Sequence, residues 1–145
     1  GYRFVCVGSW TSDPEGSGIE PVVPKAKNEK LIYAFVTGTE VMYIGKSDEF
    51  KRRMNNYKRA KNSKKRYTNK RVFEGIRGTL DAGLEVQIFV LFPEVSPMPT
   101  FGDLPIDLVN GLETPFIDKF NPNWNIKTVS PEDKKDFKEM KKAAK

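Results

Sequence analysis

Apolar positions along the chain fall into short runs that predict β-strands. Residues 30–36 (KLIYAFV) and 41–46 (VMYIGK) are apolar runs on either side of Thr37-Gly38-Thr39, which is typical of a β-hairpin. Residues 84–92 (LEVQIFVLF) predict a third, buried strand, and residues 1–7 predict a further short one. Residues 8–29 and the proline-rich loop 93–105 are expected to be irregular.

Three other segments show the 3.6-residue periodicity of amphipathic helices. We expect Ser47 or Asp48 to cap the first, Thr68 or Asn69 to cap the second, and Gly83 to end the second. A last, mostly exposed helix is predicted over about residues 131–144. The inward positions are Phe50, Arg53, Met54 and Tyr57 in the first helix, Val72, Phe73, Ile76 and Leu80 in the second, and Leu108, Val109, Leu112, Phe116, Ile117 and Phe120 in the third.

One carboxylate falls among apolar positions of the third predicted helix. Glu113 lies on the same side as Val109 and Phe116, where a charge is costly unless something binds it. Pro115 removes a backbone donor, so we expect the helix to bend or restart beside Glu113.

Composition limits the class of protein and the available chemistry. The 145 residues suit a single domain, with a core over about residues 30–126 and an N-terminal extension over 1–29. No apolar run approaches the roughly 18–20 residues that span a bilayer, and the single cysteine fits an intracellular, cytoplasmic protein. The chain contains no histidine, so catalysis must use tyrosine, lysine or carboxylate, and a metal must be held by oxygen.

The positive charge is concentrated in one segment. Residues 51–71 contain eleven Lys or Arg and no acidic residue, whereas the rest of the chain has fourteen basic against nineteen acidic residues. Such density, with interleaved Asn and Tyr, favours binding to a phosphate backbone over the alternatives of a solvated surface or an anionic membrane. The predicted DNA-binding residues are Lys58, Arg59, Lys61, Lys64, Lys65, Arg66, Lys70 and Arg71.

The motif residues resemble those of the GIY-YIG nucleases, and most closely the compact phage and restriction endonucleases. LIY (residues 31–33) and YIG (residues 43–45) match the two halves of the motif, with Leu31 in place of the first glycine. Arg53 stands ten residues after Tyr43, where the family has an active-site arginine on its first helix. Glu113, Asn125 and Tyr57 match the metal-binding glutamate, the late asparagine and a His-or-Tyr position.

This resemblance implies a fold and a set of roles. The fold is a small α/β sandwich with a central, mainly antiparallel three-stranded sheet flanked by helices. Glu113 would hold a single Mg²⁺ or Mn²⁺. Tyr33 would be the general base, with Tyr43 orienting water or phosphate and Arg53 clamping the scissile phosphate. Lys46 would supply charge to a tyrosine hydroxyl beside a tight turn at Gly45, and Tyr57 and Asn125 would contact the phosphate or the tyrosines.

The register of the hairpin tests this interpretation. A two-residue loop at Gly38-Thr39 in a regular ladder would leave Tyr33 and Tyr43 on opposite faces. We therefore predict either a three-residue loop, which places Tyr33 directly across from Tyr43, or a bulge with the same effect.

The favoured function is a metal-dependent, sequence-selective endonuclease on double-stranded DNA, of restriction or phage type. The alternatives are a structure- or damage-specific repair nuclease that nicks DNA, and a DNA-binding module without catalysis. Cutting both strands with one active site per chain suggests a homo-oligomer, a dimer or higher, on DNA. The recognition sequence does not follow from the residues, because base readout depends on which side chains reach the groove.

Overall fold

The computed structural model describes residues 2–24, 28–62, 67–94 and 96–125, and the helix predicted over about 131–144 lies outside these ranges. The strands of the main sheet are β1 (Val5–Ser12), β2 (Ile19–Val22), β3 (Leu31–Thr37), β4 (Glu40–Ser47) and β5 (Val86–Leu91). Their spatial order is β2-β1-β5-β3-β4, and every neighbouring pair is antiparallel. The prediction of a three-stranded central sheet is therefore wrong, because a further hairpin pairs with β5 and extends the sheet of β5, β3 and β4 to five strands.

That hairpin is formed by β1, which begins within the short strand predicted over residues 1–7, and by β2, which lies in the stretch 8–29 that was expected to be irregular. The glycines of this stretch led to the wrong prediction of irregular structure. Gly8 is in fact needed where the two strands come close, because a Cβ there would lie 1.8 Å from the Val22 carbonyl oxygen. The strands also carry buried apolar side chains, Trp10 and Ile19, which are 2% and 1% exposed. The Gly- and Ser-rich composition thus reflects close strand pairing and a turn, not an absence of structure.

In the part of the chain that the structure describes, three α-helices flank the sheet. They are α1 (Phe50–Lys58), α2 (Tyr67–Asp81) and α3 (Leu108–Phe120), with a 3-10 helix (Arg59–Asn62) directly after α1. The predicted cap of α1 is displaced, since Ser47 Oγ accepts from Glu49 N and the helix begins after Glu49. The end of α2 at Gly83 is confirmed by its positive φ of 79°. Of the bend or restart expected beside Glu113, the restart is wrong, because α3 runs through Pro115 as one helix.

Each face of the sheet carries its own apolar core. α1 and α2 pack on one face and α3 on the other. The first core includes Phe35, Phe50, Met54, Val72 and Ile76, and the second includes Ile32, Ala34, Ile44, Val109 and Phe116. β4 forms one edge of the sheet, and because side chains alternate along a strand, those of β4 reach both layers. Within the described residues, no helix is long and apolar enough to cross a membrane.

The loop between β5 and α3 is more ordered than predicted. It contains a small hairpin of β6 (Thr100–Phe101) and β7 (Leu104–Pro105), with Gly102 in the left-handed region. Asp107 then caps α3 by accepting a hydrogen bond from Asn110 N.

The β3-β4 register contains the predicted bulge. The loop itself has two residues, since Thr37 pairs with Glu40 and Val36 with Val41. The register then shifts, so that Phe35 pairs with Tyr43 and Tyr33 with Gly45. The shift brings Tyr33 and Tyr43 onto the same face, as predicted, but Tyr33 lies across from Gly45 and not directly across from Tyr43.

Candidate active site

Three tyrosine hydroxyls and one guanidinium form a hydrogen-bonded cluster on the α1 side of the sheet. The Tyr33 and Tyr57 hydroxyl oxygens are 2.5 Å apart, and the Tyr57 hydroxyl donates to the Tyr43 hydroxyl at 3.2 Å. Arg53 Nε donates to the Tyr33 hydroxyl at 3.3 Å, and the guanidinium lies 4.6 Å from the centre of the Tyr57 ring. With Tyr57 donating to Tyr43, Tyr33 must donate to Tyr57, so the hydroxyls form an ordered chain.

Local geometry explains how these side chains meet. The bulge in β4 gives Tyr33 and Tyr43 a common face, and the four-residue spacing of Arg53 and Tyr57 places both on one side of α1. Gly45 leaves room for the Tyr33 ring, because a Cβ there would lie 2.5 Å from the Tyr33 hydroxyl and Cζ. The expected tight turn at Gly45 is therefore wrong, because this residue lies within β4 and the Tyr33 ring packs against it.

Burial dominates the electrostatics of the cluster. Tyr33 and Tyr57 are 0% exposed, and Tyr43 is 6% exposed. Burial raises the pKa of Tyr33 and of Tyr57, and the opposing effect of Arg53 is smaller. The protein alone therefore keeps these two hydroxyls protonated at neutral pH, and the nearest cation to them is Arg53.

Lys46 belongs to the opposite face of the sheet. Its Nζ donates to Asn110 Oδ1 at 2.5 Å and lies 4.0 Å from Glu113 Oε1, both on α3. The prediction that Lys46 supplies charge to a tyrosine hydroxyl is therefore wrong, because alternation along β4 directs Lys46 away from Tyr43.

Glu113 is the carboxylate that suits a metal ion. Its side chain is 23% exposed, and burial raises its pKa while Lys46 and Arg53 lower it. Among the described residues it accepts no hydrogen bond, and no group of three or more metal-ligating side chains occurs. A partly desolvated carboxylate that accepts no hydrogen bond from the described residues fits a hard divalent ion that keeps several waters.

A pocket of about 260 Å³ opens between the end of β4 and the start of α3. It is lined by Lys30, Lys46, Ser47, Asp48, Val109 and Asn110. Asp107 joins this region, because it accepts hydrogen bonds from Lys30 and from Asn110 Nδ2. These contacts lower the pKa of Asp107 to about 2, with the Lys30 hydrogen bond as the largest cause.

Asn125 braces the strand that carries Tyr43. Its Oδ1 accepts from Ile44 N at 2.9 Å, and its Nδ2 donates to Ile44 O at 2.8 Å. Asn125 therefore acts on the tyrosines through the backbone of β4. Of the two alternatives predicted for it, a contact with the tyrosines is not seen, and a contact with the phosphate stays a prediction.

The basic segment divides into residues with different surroundings. Arg59, Lys61 and Lys70 are exposed, and Lys58 forms a 2.5 Å ion pair with Glu20. Arg71 is half-buried and donates to the Trp124 carbonyl at 2.5 Å. The predicted contacts at Lys64, Lys65 and Arg66 lie outside the described residues.

Sequence reasoning missed two residues of this region. Asn110, three residues before Glu113 on the same helix, could have been found from that spacing. Trp124, which packs beside α2, directly precedes the predicted Asn125 but carried no sequence signal for its role.

Comparisons with known proteins place this chain among DNA endonucleases. The chain is 30% identical over 127 residues to endonuclease II of Enterobacteria phage T4, covering 86% of this chain and 91% of that protein. A solved structure of a bacteriophage T4 EndoII mutant superposes with a TM-score of 0.68 at 27% identity, over 86% of this chain and 93% of that one. Restriction endonuclease HPY188I in complex with product DNA shares the fold, with a TM-score of 0.50 at 23% identity over 87% and 78% of the two chains. No family model matches the sequence.

Proposed function

Because this chain belongs to the family of phage T4 endonuclease II, we propose that it is a metal-dependent endonuclease of the GIY-YIG type that cleaves double-stranded DNA. The family membership confirms the class predicted from the sequence, a DNA endonuclease of phage or restriction type. The observation that carries the finer proposal is the cluster of Tyr33, Tyr43, Tyr57 and Arg53, which joins the matched motif residues by hydrogen bonds.

The cluster suggests a path for the proton of the attacking water. Tyr43 is the least buried of the three tyrosines and ends the hydroxyl chain, so it is the hydroxyl that water or phosphate would meet. Tyr33 is the proposed general base, because Arg53 and the Tyr57 hydroxyl would stabilise its phenolate. Once Tyr33 is deprotonated, the hydroxyl hydrogen bonds would run in the reverse direction. As Tyr43 takes the proton of the water, it would pass its own proton to Tyr57, and Tyr57 would pass its own to the Tyr33 phenolate.

Arg53 has a second proposed role, as a clamp on the scissile phosphate. Its Nε is engaged with Tyr33, while the guanidinium carries further N–H donors that match phosphate oxygens. One residue would thus hold the phosphate and stabilise charge on the base.

Glu113 would hold Mg²⁺ or Mn²⁺, with water and phosphate oxygens completing the coordination. When bound, the ion would polarise the phosphate and stabilise charge on the leaving oxygen. Lys46, 4.0 Å from Glu113, would keep this carboxylate ionised and lie near the same phosphate.

The exposed basic residues after α1 supply a surface for the DNA backbone. Arg59, Lys61 and Lys70 have side chains in solvent, where they can neutralise phosphates and release counterions. Cleavage of both strands by one site per chain would require two or more subunits on the duplex.

Plasmid cleavage in Mg²⁺, followed by sequencing of the ends, tests the proposal. Cutting at fixed sites supports a sequence-selective enzyme, nicking at lesions or branches supports a repair nuclease, and binding without cleavage supports a non-catalytic module. Tyr33→Phe and Glu113→Ala should each reduce cleavage by at least about a hundredfold. Tyr2→Phe, at an exposed tyrosine beside Phe116, is the matched control and should cleave normally. Normal cleavage by Tyr33→Phe or Glu113→Ala would refute the role of that residue.

A further inference from the structure

The outer edge of β4 is paired by a segment that follows α3. As an edge strand, β4 has backbone groups that face away from β3 and need partners. Trp124 N donates to Met42 O at 2.9 Å, and the Asn125 side chain binds both N and O of Ile44. Three hydrogen bonds therefore flank Tyr43 and fix the part of β4 that follows the bulge.

Two residues of α2 hold this segment in place. Arg71 Nη2 donates to the Trp124 carbonyl at 2.5 Å, next to the peptide bond that leads to Asn125. One turn later, the Trp124 indole packs directly on Gly75. Only glycine leaves room for it, since a Cβ at Gly75 would lie 2.5 Å from Trp124 Cε2 and 2.7 Å from Nε1. The two residues are four positions apart, so they share one face of α2.

We infer that Arg71 and Gly75 are positioning residues for the proposed reaction, acting through Trp124 and Asn125 to fix the strand that presents Tyr43. The inference rests on the proposed function, in which Tyr43 is the hydroxyl that meets water or phosphate. It also reassigns Arg71, which the charge pattern alone placed among the DNA-binding residues.

The surroundings of Arg71 separate it from its basic neighbour. Arg71 is half-buried with one terminal nitrogen bound to a carbonyl oxygen, whereas Lys70 is exposed on the same helix. A phosphate contact contributes to the salt dependence of DNA binding, and a residue that orders a strand contributes to the rate of the chemical step. The two roles therefore leave different kinetic signatures.

Arg71→Gln and Lys70→Gln provide a matched pair for the test. In Arg71→Gln we expect the single-turnover cleavage rate at saturating DNA to fall by at least about tenfold, with the affinity for DNA and its salt slope unchanged. In Lys70→Gln we expect weaker binding and a salt slope reduced by about 0.9. A reduced slope in Arg71→Gln, or its cleavage at the parental rate, would overturn the inference.

A second pair of variants tests the same path without changing any charge. Gly75→Ala should displace Trp124 and slow cleavage as Arg71→Gln does, although it changes no charge. Gly78→Ala, in the same helix with nothing within 4 Å of the added Cβ, should cleave like the parent protein. Equal rates in the two alanine variants would contradict the proposed path through Trp124. Should Arg71→Gln fail to fold, Arg71→Lys keeps the charge, loses the planar fork, and is expected to show a smaller defect in rate alone.

Amide hydrogen exchange tests the same path without any nuclease activity. The Ile44 amide, bound to Asn125 Oδ1, should exchange at least about tenfold faster in Arg71→Gln and Gly75→Ala, whereas Ala34 in the interior strand β3 keeps its protection. Unchanged exchange at Ile44 would refute the inference. If the parent protein cleaved no DNA, the proposed function would fail, and the exchange data would still decide whether α2 positions β4.

Discussion

Gly45→Ala tests the packing on which the tyrosine cluster depends. The added Cβ would lie 2.5 Å from the Tyr33 hydroxyl and Cζ, about 1 Å closer than the usual contact between heavy atoms. The Tyr33 ring must therefore move by about that distance, which is enough to break its hydrogen bonds to Tyr57 and Arg53. Overpacking of this kind typically costs about 1–3 kcal/mol, and a shift of about 1 Å in a catalytic group can cost about a hundredfold in rate.

Urea unfolding and plasmid cleavage measure the two effects separately. We expect the free energy of unfolding to fall by about 1–3 kcal/mol and cleavage to fall further than stability alone explains. A double-mutant cycle with Tyr33→Ala isolates the cause, because Gly45→Ala should cost almost nothing once the ring is absent. Full stability and activity in Gly45→Ala, or an equal cost with and without the Tyr33 ring, would refute the reasoning.

Four further predictions concern the metal, the tyrosine protons and the DNA surface. Glu113→Gln should abolish Mg²⁺-dependent cleavage but retain DNA binding, as should chelation of the metal, and residual cleavage above about one per cent would contradict the assignment. Because burial raises the pKa of Tyr33 and Tyr57, the cleavage rate should rise about tenfold per pH unit from about pH 7 to 9, and a plateau in that range would exclude a tyrosine base. The raised pKa values of Tyr33 and Tyr57 also stabilise the folded protein, fully so below about pH 10, the pKa of tyrosine in the unfolded chain. This contribution to the free energy of unfolding should be lost at higher pH, which urea unfolding can measure. Replacing Arg59 and Lys61 together by Gln should lower the salt slope of DNA binding by about 1.8, and an unchanged slope would move the DNA surface elsewhere.

Local periodicity in the sequence predicted the elements that carry the site. The apolar runs located β3, β4 and β5, and the spacing of Phe50, Met54 and Tyr57 gave α1 its buried face. The same periodicity placed Arg53 beside Tyr57, because residues four apart on a helix are neighbours wherever the helix packs. The resemblance of the motif then named the tyrosines that the structure joins.

The direction of Lys46 and the role of Gly45 depended on the sheet. Once the bulge fixes which face Tyr43 occupies, alternation sends Lys46 towards Asn110 and Glu113 on the other face. The sequence contains the alternation but not the side on which each helix packs, because that depends on contacts between residues far apart in the chain.

What the sequence determined by itself was therefore local: the strands of the hairpin, the faces of α1 and α2, and the chemical groups available without histidine. Only the tertiary structure decided that the N-terminal strand extends to Ser12 and pairs with a second strand at Ile19–Val22, that Arg71 binds the Trp124 carbonyl, and that the Asn125 side chain binds the backbone of β4. The physical reason is that periodicity and capping act over a few residues, whereas pairing at a strand edge and the partner of a charged side chain are fixed by segments that meet only after folding.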